Sequence, residues 1–445
     1  MALPQSSDSA VVKHAPPPSE LPIYQREDPS AVSFIGRTNY SAALEEKKFI
    51  FGIKRTDRLS NVYVLGKSGV GKTQLMAMMA RQDIAYGHPI CIIDPSGDLI
   101  EHVLDFIPRE RAEHTLLLDV ARGGEGINVL ANVPKEYRQQ FAQALTEVFE
   151  RQFGSRWTAH IEYALRNAIL ALLDMPSATI TDIANMFTKS EMRASAATHA
   201  RDELTRNFWA SEYTDWEHRY HADAIVPIMN VLGPLVTNQQ LTAAVSSATT
   251  SQSIDETIQQ SGIVLVSAAK HHVGDRAAGF VGALVLARLS LIGIMRERAR
   301  SVPQTVYCYI DELPKFITNT LVSMYGNSHR QRIAYTVTQQ VAVQIGSGVR
   351  AGLIANTGTI IAFRVDAEDA KWLEGEFQPT FKARDFIHLG KHECYAKLMI
   401  DGNVYDPFSA SLLKLHKQRG VSYRALIVPD GRSEEGNVGD MEATM

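Results

Sequence analysis

Short, wholly apolar runs punctuate two parts of the chain. Val62-Tyr63-Val64-Leu65, Ile90-Cys91-Ile92-Ile93, Thr115-Leu116-Leu117-Leu118, Ile263-Val264-Leu265-Val266 and Val306-Tyr307-Cys308-Tyr309-Ile310 each stop at glycine, serine or aspartate. Continuous apolar runs of this length, bounded by turn residues, predict strands buried on both faces of a parallel sheet. Ala334 to Thr338 and Gly358 to Phe363 predict two more, and Cys394 to Ile400 reads as further strand-like pieces. Between about residues 133 and 245 the period changes. Phe141-Ala142, Leu145, Val148-Phe149, Ile161, Ala164-Leu165, Ala168-Ile169 and Leu172-Leu173 recur at helical spacing, with no strand pattern until about residue 262. The pattern predicts an α/β fold with a mostly parallel sheet and an inserted all-α domain. Its nucleotide-binding parts fall at 33–132 and 249–412, and its helical insertion at 133–248.

The two ends lack periodicity. Residues 1–32, rich in Ser, Ala and Pro, read as a disordered leader, and 413–445 as a C-terminal tail that turns acidic. Ala277 to Met295 is the longest apolar stretch, but Arg288 and three glycines interrupt it, so it predicts a buried helix rather than a membrane span. No signal-peptide pattern opens the chain.

With 445 residues and 45% of them hydrophobic, the chain can bury a large core. A formal net charge of −4 gives no global field for nucleic acid, so any such contact needs local basic patches. The helical part holds Trp157, Trp209 and Trp216 among Arg151, Arg156, Arg166, Arg193, Arg201, Arg206 and Arg219, a mixture a nucleic-acid surface can use. Helix core plus a solvated face fits that composition better. Cys91, Cys308 and Cys394, far apart and inside apolar runs, read as buried reduced thiols of a cytoplasmic protein.

The most specific chemistry follows the Val62–Leu65 run. Gly66-Lys67-Ser68-Gly69-Val70-Gly71-Lys72-Thr73 has the full P-loop spacing between a predicted strand and a predicted helix. Its glycines let successive N–H groups converge on a phosphate. Lys72 supplies charge for the β- and γ-phosphates, and Thr73 a hydroxyl for Mg²⁺. Downstream, Asp311-Glu312 closes an apolar strand. There Asp311 serves Mg²⁺, and Glu312 orients and deprotonates the attacking water. A second carboxylate at this place points to hydrolysis rather than transfer to a substrate hydroxyl. Asp94 and Asp98 end another strand, as near-site groups or as an Asx-type turn. Gln340 ends the strand expected beside the P-loop strand, where it can sense a γ-phosphate or simply turn the chain. Lys54, Arg55 and Arg58 either fringe the nucleotide or are solvated.

In this order the motifs resemble the additional-strand P-loop ATPases, which include conjugative type IV coupling proteins of the TraG/TraD-like class and FtsK/HerA-like DNA pumps. The resemblance runs from about Phe34 to Phe408. It rests on the P-loop, Ile93-Asp94-Pro95-Ser96-Gly97-Asp98-Leu99, Tyr309-Ile310-Asp311-Glu312, Gln340-Val341-Ala342-Val343-Gln344 and Asn356 to Arg364. Ser96 stands where relatives often have His, and His329 falls where the family has an arginine. The resemblance implies a RecA-like fold and an ATP-driven, Mg²⁺-dependent motor that moves DNA in conjugative or type IV secretion transfer. It also implies a homo-hexameric ring, with relaxase or secretion-channel proteins as partners; without the transmembrane helices of the anchored members, the chain belongs with soluble cytoplasmic members or is recruited to the inner face of the cell membrane by another protein. Arg330, Arg332 and Arg364 are its candidates for an arginine acting on a neighbouring subunit's site. Two other readings remain, a secretion ATPase acting on protein cargo and a non-motor ATP-dependent switch, and Glu312 argues against the switch.

Overall fold

In the computed structural model, residues 12–40, 48–123, 126–247, 253–268, 270–415 and 422–428 are described. The strands in chain order are β1 (Val32–Thr38), β2 (Ile50–Lys54), β3 (Val62–Leu65), β4 (Ile90–Asp94), β5 (Thr115–Asp119), β6 (Ile263–Ser267) and β7 (Val306–Ile310). They continue with β8 (Ile333–Gln339), β9 (Thr359–Ala362), β10 (Glu393–Lys397), β11 (Met399–Ile400), β12 (Asn403–Val404) and β13 (Phe408–Leu412). Apart from the small β11–β12 ribbon they form one 11-stranded sheet ordered β2-β1-β13-β10-β9-β3-β8-β7-β4-β6-β5. From β9 to β5 all neighbours are parallel, as the uninterrupted apolar runs predict. Antiparallel strands from both ends of the chain extend the other side, with β1 paired to β13.

Both faces of the parallel part are covered. In β3, Val62 and Val64 pack with Leu75, Met76 and Met79 of the P-loop helix (Lys72–Ala85). Tyr63 and Leu65 face the opposite core, which runs continuously into the helical insertion. That insertion is helical as expected from Arg138 to Val245, but it shares its core with the sheet: Phe149 of the helix Arg138–Phe153 lies against Phe280 of the long helix Asp275–Glu297, ring centroids 5.4 Å apart.

The long helix is apolar and long enough to cross a membrane by composition, yet 89% of its most apolar window is buried within the fold. Arg288, its internal charge, pairs with Asp255 at 2.7 Å and donates to the carbonyls of Val129 and Ala131 at 3.1 and 2.8 Å. One buried guanidinium thus ties together the chain just before and just after the insertion.

The disordered leader expected over 1–32 is corrected for its described part. Ala15, Leu21 and Ile23 are buried, Ala15 N–H donates to Ser409 Oγ at 3.0 Å, and Ile23 bridges Phe51. Single apolar residues on an irregular segment leave no period to read. The tail expected over 413–445 also begins as packed chain: Leu413, Leu415, Tyr423, Ile427 and Val428 lie against the P-loop face of the core. Residues 1–11 and 429–445 lie outside the described set.

Candidate nucleotide site

Parallel pairing brings the carboxyl ends of β3, β8, β7 and β4 to one edge of the sheet, where ligands of open α/β sheets sit. The P-loop, Gln340, Asp311-Glu312 and Asp94 therefore converge from four neighbouring strands. Gln340 does follow the strand beside the P-loop strand, with Leu65 opposite Gln339.

Two P-loop glycines are required by their surroundings. A Cβ at Gly66 would stand 2.6 Å from Phe363 Cβ, and Gly71 has φ +124° with its would-be Cβ 2.9 Å from His392 Nδ1. Lys67, Ser68 and Gly69 are exposed at the tip, Val70 is buried beneath it, and Thr73 is half-buried in the first turn of the helix. Lys72 Nζ folds back over the loop, donating to the carbonyls of Gly66 at 2.6 Å and Lys67 at 2.8 Å. Burial lowers its pKa, opposed by Asp311 and Glu312.

Asp311 is 7% exposed and accepts from Thr338 Oγ1, with the Glu312 N–H 3.1 Å from its Oδ1. Burial pushes its carboxyl up to about 6, against the Thr338 hydrogen bond, with Asp94 and Glu312 adding repulsion and Lys72 opposing it. Asp94 is fully buried and acts as an Asx-type cap: its carboxylate accepts from Ser96 N–H at 2.9 Å and from Leu99 N–H at 2.7 Å, while Asp98 is exposed.

Glu312 sits in the left-handed region at φ 55°, ψ 54°. Its Oε1 accepts from Lys270 Nζ at 3.0 Å and from Gln340 Nε2 at 3.1 Å, and Lys315 Nζ lies 2.8 Å from Oε2. Burial raises its pKa, but Lys315 and Lys270 outweigh that and hold it below the usual glutamate value. A cavity of about 510 Å³ opens here, lined among others by Lys270, His271, Asp275, Glu312, Lys315 and Gln340.

The arginines divide. Arg364 is exposed at the end of β9, and its carbonyl accepts from Lys67 N–H at 2.9 Å, so it stands at its own subunit's P-loop. Arg330 precedes β8, 74% exposed and 3.8 Å from Glu297. Strand β8, rising roughly 20 Å over the six steps between its first and last residues at ~3.3 Å each, separates its edge of the sheet from the P-loop edge. Arg332 has φ 55° and is half-buried at that same far edge.

Arg55 and Arg58 neither fringe the nucleotide nor face solvent: both are buried against Asp83 of the P-loop helix. The tryptophans of the insertion are packing residues. Trp209 is buried with Nε1 donating to Asn167 O at 3.1 Å, and Trp157 and Trp216 pack against the core. Lys270, Lys315, Thr338 and His392 were not foreseen as site residues. Lys270 is 42 positions from Glu312, and no motif marks it.

The donor set fits a nucleotide with Mg²⁺. No cluster of three His, Cys, Asp or Glu occurs among the described residues. A Mg²⁺ ion taking one hydroxyl, one carboxylate and substrate phosphates requires none. The buried Asp311 carboxyl, pushed up by burial and by its carboxylate neighbours, is the group whose charge such an ion would stabilise.

No protein-family model matches the chain, and no curated protein matches it by sequence. Solved structures do match. The plasmid coupling protein TrwB in complex with a GTP analogue superposes with TM-score 0.64 at 13% identity, covering 83% of this chain and 89% of that one. TrwB with ADP and Mg²⁺ gives 0.62 over the same shares at 13% identity. VirB4 of Thermoanaerobacter pseudethanolicus gives 0.53 at 13% identity, covering 80% and 89%. The fold is therefore the RecA-like P-loop fold of these TrwB and VirB4 structures, as the resemblance implied.

Proposed function

We propose that this protein is an ATP-driven DNA-translocating motor of conjugative or type IV secretion transfer, cytoplasmic and working as a homo-hexamer at the inner face of the membrane. The observation that carries it is the convergence of Lys72, Thr73, Asp311, Glu312 and Gln340 from separate strands on one edge of the sheet. TrwB structures hold ADP with Mg²⁺ and an ATP analogue, which supports the same cofactors here.

When bound, ATP supplies the phosphoanhydride and Mg²⁺ the charge that polarises it. Lys72 would exchange the Gly66 and Lys67 carbonyls for phosphate oxygens, and Thr73 and Asp311 would hold the ion's shell. Glu312 takes the proton of the attacking water, and Gln340, already hydrogen-bonded to Glu312, links that carboxylate to the state of the γ-phosphate. Arg330 is proposed as the group donated to a neighbouring subunit, since its distance from its own P-loop leaves it no role there. Arg364 is the second candidate, positioned at its own loop. Relaxase or secretion-channel proteins are the expected partners.

A second reading, ATP-driven handling of protein cargo, draws support from the net charge of −4 and from aromatics of the insertion that lie in the core instead of offering a stacking surface. ATPase rates without polymer, with single-stranded DNA and with duplex DNA separate the two. Stimulation by either DNA supports the motor reading, and indifference to both favours protein cargo.

A further inference from the structure

We propose that Lys270 and Lys315 are positioning residues that hold Glu312 away from the P-loop, so that hydrolysis requires this carboxylate to leave them. The proposal rests on the hydrolytic reading of Glu312 above.

A water-activating carboxylate must reach the proton it takes, directly or through one water. Here both carboxylate oxygens are occupied from the cavity side: Oε1 by Lys270 and Gln340, and Oε2 by Lys315. Lys72, the P-loop cation, is bonded instead to its own loop carbonyls. None of the residues Gly66 to Thr73 lines the cavity that Glu312 faces. Glu312 and the P-loop thus lie side by side with each group satisfied by the wrong partner for catalysis.

The surroundings permit exchange. The side chains of Lys270 and Lys315 are 20% and 23% exposed, next to a cavity of about 510 Å³ into which they can move. Lys315 also pairs with the exposed Asp275, so releasing Glu312 does not strand its charge. Glu312 itself occupies a left-handed backbone joint, a conformation a residue with a Cβ holds only where its neighbours enforce it. Two lysines that neutralise the carboxylate are an enforcement that other ligands can undo. Partly exposed ion pairs are weak enough for a bound nucleotide to outcompete.

The test combines exchange and kinetics. Hydrogen–deuterium exchange over residues 270–276 is compared in the wild type, in Glu312→Gln and in the wild type with Mg²⁺ and a non-hydrolysable ATP analogue. Faster exchange, by about threefold or more, is expected in both of the latter. Unchanged protection in Glu312→Gln shows that the ion pairs do not hold the segment and overturns the proposal, as does unchanged protection in the wild type when analogue binding is measured in the same sample. In steady state, Lys270→Met and Lys315→Met together are expected to raise kcat without polymer by about threefold or more, with KM for ATP unchanged. A kcat that falls or stays level overturns the proposal. If no form hydrolyses ATP, the hydrolytic reading fails, and the exchange comparison still decides whether Glu312 is tied to the lysines.

Discussion

Replacing Asp83 with Asn should destabilise the fold by about 3–5 kcal/mol, because it leaves two buried guanidinium groups without their counter-charge. Asp83 is fully buried on the P-loop helix. Arg58, 1% exposed, donates to its two oxygens at 2.8 and 3.0 Å, and Arg55, 8% exposed, pairs with Oδ1. The Tyr309 hydroxyl of β7 donates to the same carboxylate, and Arg58 also reaches Ser33 Oγ of β1 at 2.9 Å. One carboxylate therefore joins the P-loop helix, the segment leading to β3, and the strands β1 and β7. Each hydrogen bond to a charged group contributes about 1.5–3 kcal/mol. Arg58 over the Tyr307 ring at 4.0 Å, and Arg55 donating to Ser30 O at 2.8 Å, recover part of the loss, which keeps the total near the stated range. The measurement is denaturant unfolding followed both by far-ultraviolet circular dichroism and by tryptophan fluorescence, with coincidence of the two transitions as the condition for reading a free energy. Asn keeps the shape and removes the charge, so a cost below about 1 kcal/mol would refute the electrostatic argument. Acid gives an independent check. Burial alone would raise the Asp83 carboxyl, but Arg58 and Arg55 outweigh it and hold it below 3.8. The stabilisation is thus fully present above that unfolded value and is lost as pH falls through the folded one, a loss that Asp83→Asn should abolish.

Lys72→Ala should abolish ATP binding or turnover, whereas Glu312→Gln should bind ATP and lose hydrolysis; equilibrium binding beside steady-state turnover distinguishes them, and wild-type turnover in Glu312→Gln removes that residue from the mechanism. Arg330→Ala should lower ATPase activity in the assembled state by about 10³-fold, and mixing it with Lys72→Ala subunits should restore part of it, because an intact site forms between them. Normal turnover by Arg330→Ala alone moves the test to Arg364. DNA binding, measured by fluorescence anisotropy across a salt series, should weaken steeply as salt rises, since a chain of net charge −4 must bind through a local basic lining; a flat profile contradicts backbone tracking.

The edge of the sheet proposed to hold the nucleotide was legible because its demands are local. Gly66 and Gly71 answer to backbone geometry, and Lys72, Thr73, Asp311 and Glu312 to short-range spacing along one strand end each. The continuous apolar runs gave the parallel strands because both sheet faces are covered. What escaped is set by distance in sequence. The Arg58–Asp83 pair spans 25 positions and Lys270–Glu312 spans 42, and a basic residue reads alike whether it will be solvated or buried on a carboxylate. The leader was illegible for another reason: Ala15 is held by Ser409 near the far end of the chain and Ile23 by a bridge to Phe51, with no repeating face. The tryptophans of the insertion pack in the helical core, the reading their composition favoured, although stacking surfaces draw on the same residues.

The packing also connects the insertion to Glu312, the carboxylate proposed to activate water. Arg151, near the end of the helix Arg138–Phe153, donates to Pro314 O at 2.6 Å and to Ile317 O at 3.2 Å, and Glu147 on the same helix accepts from Thr320 N–H at 2.7 Å. Those acceptors and that donor belong to the segment immediately following Glu312, which also carries Lys315. Arg276, at the start of the long helix, donates to Gln152 O, and one residue earlier Asp275 pairs with Lys315. The first insertion helix, the start of the long helix and the turn after Glu312 are thus bonded into one unit across a shared core. A shift of Glu312 toward the nucleotide cannot stay local, because the turn it caps is fastened to the insertion. The same bonds give a load on the helical part a mechanical route back to the residue proposed to activate water, a coupling that the proposed motor needs and a passive nucleotide switch does not.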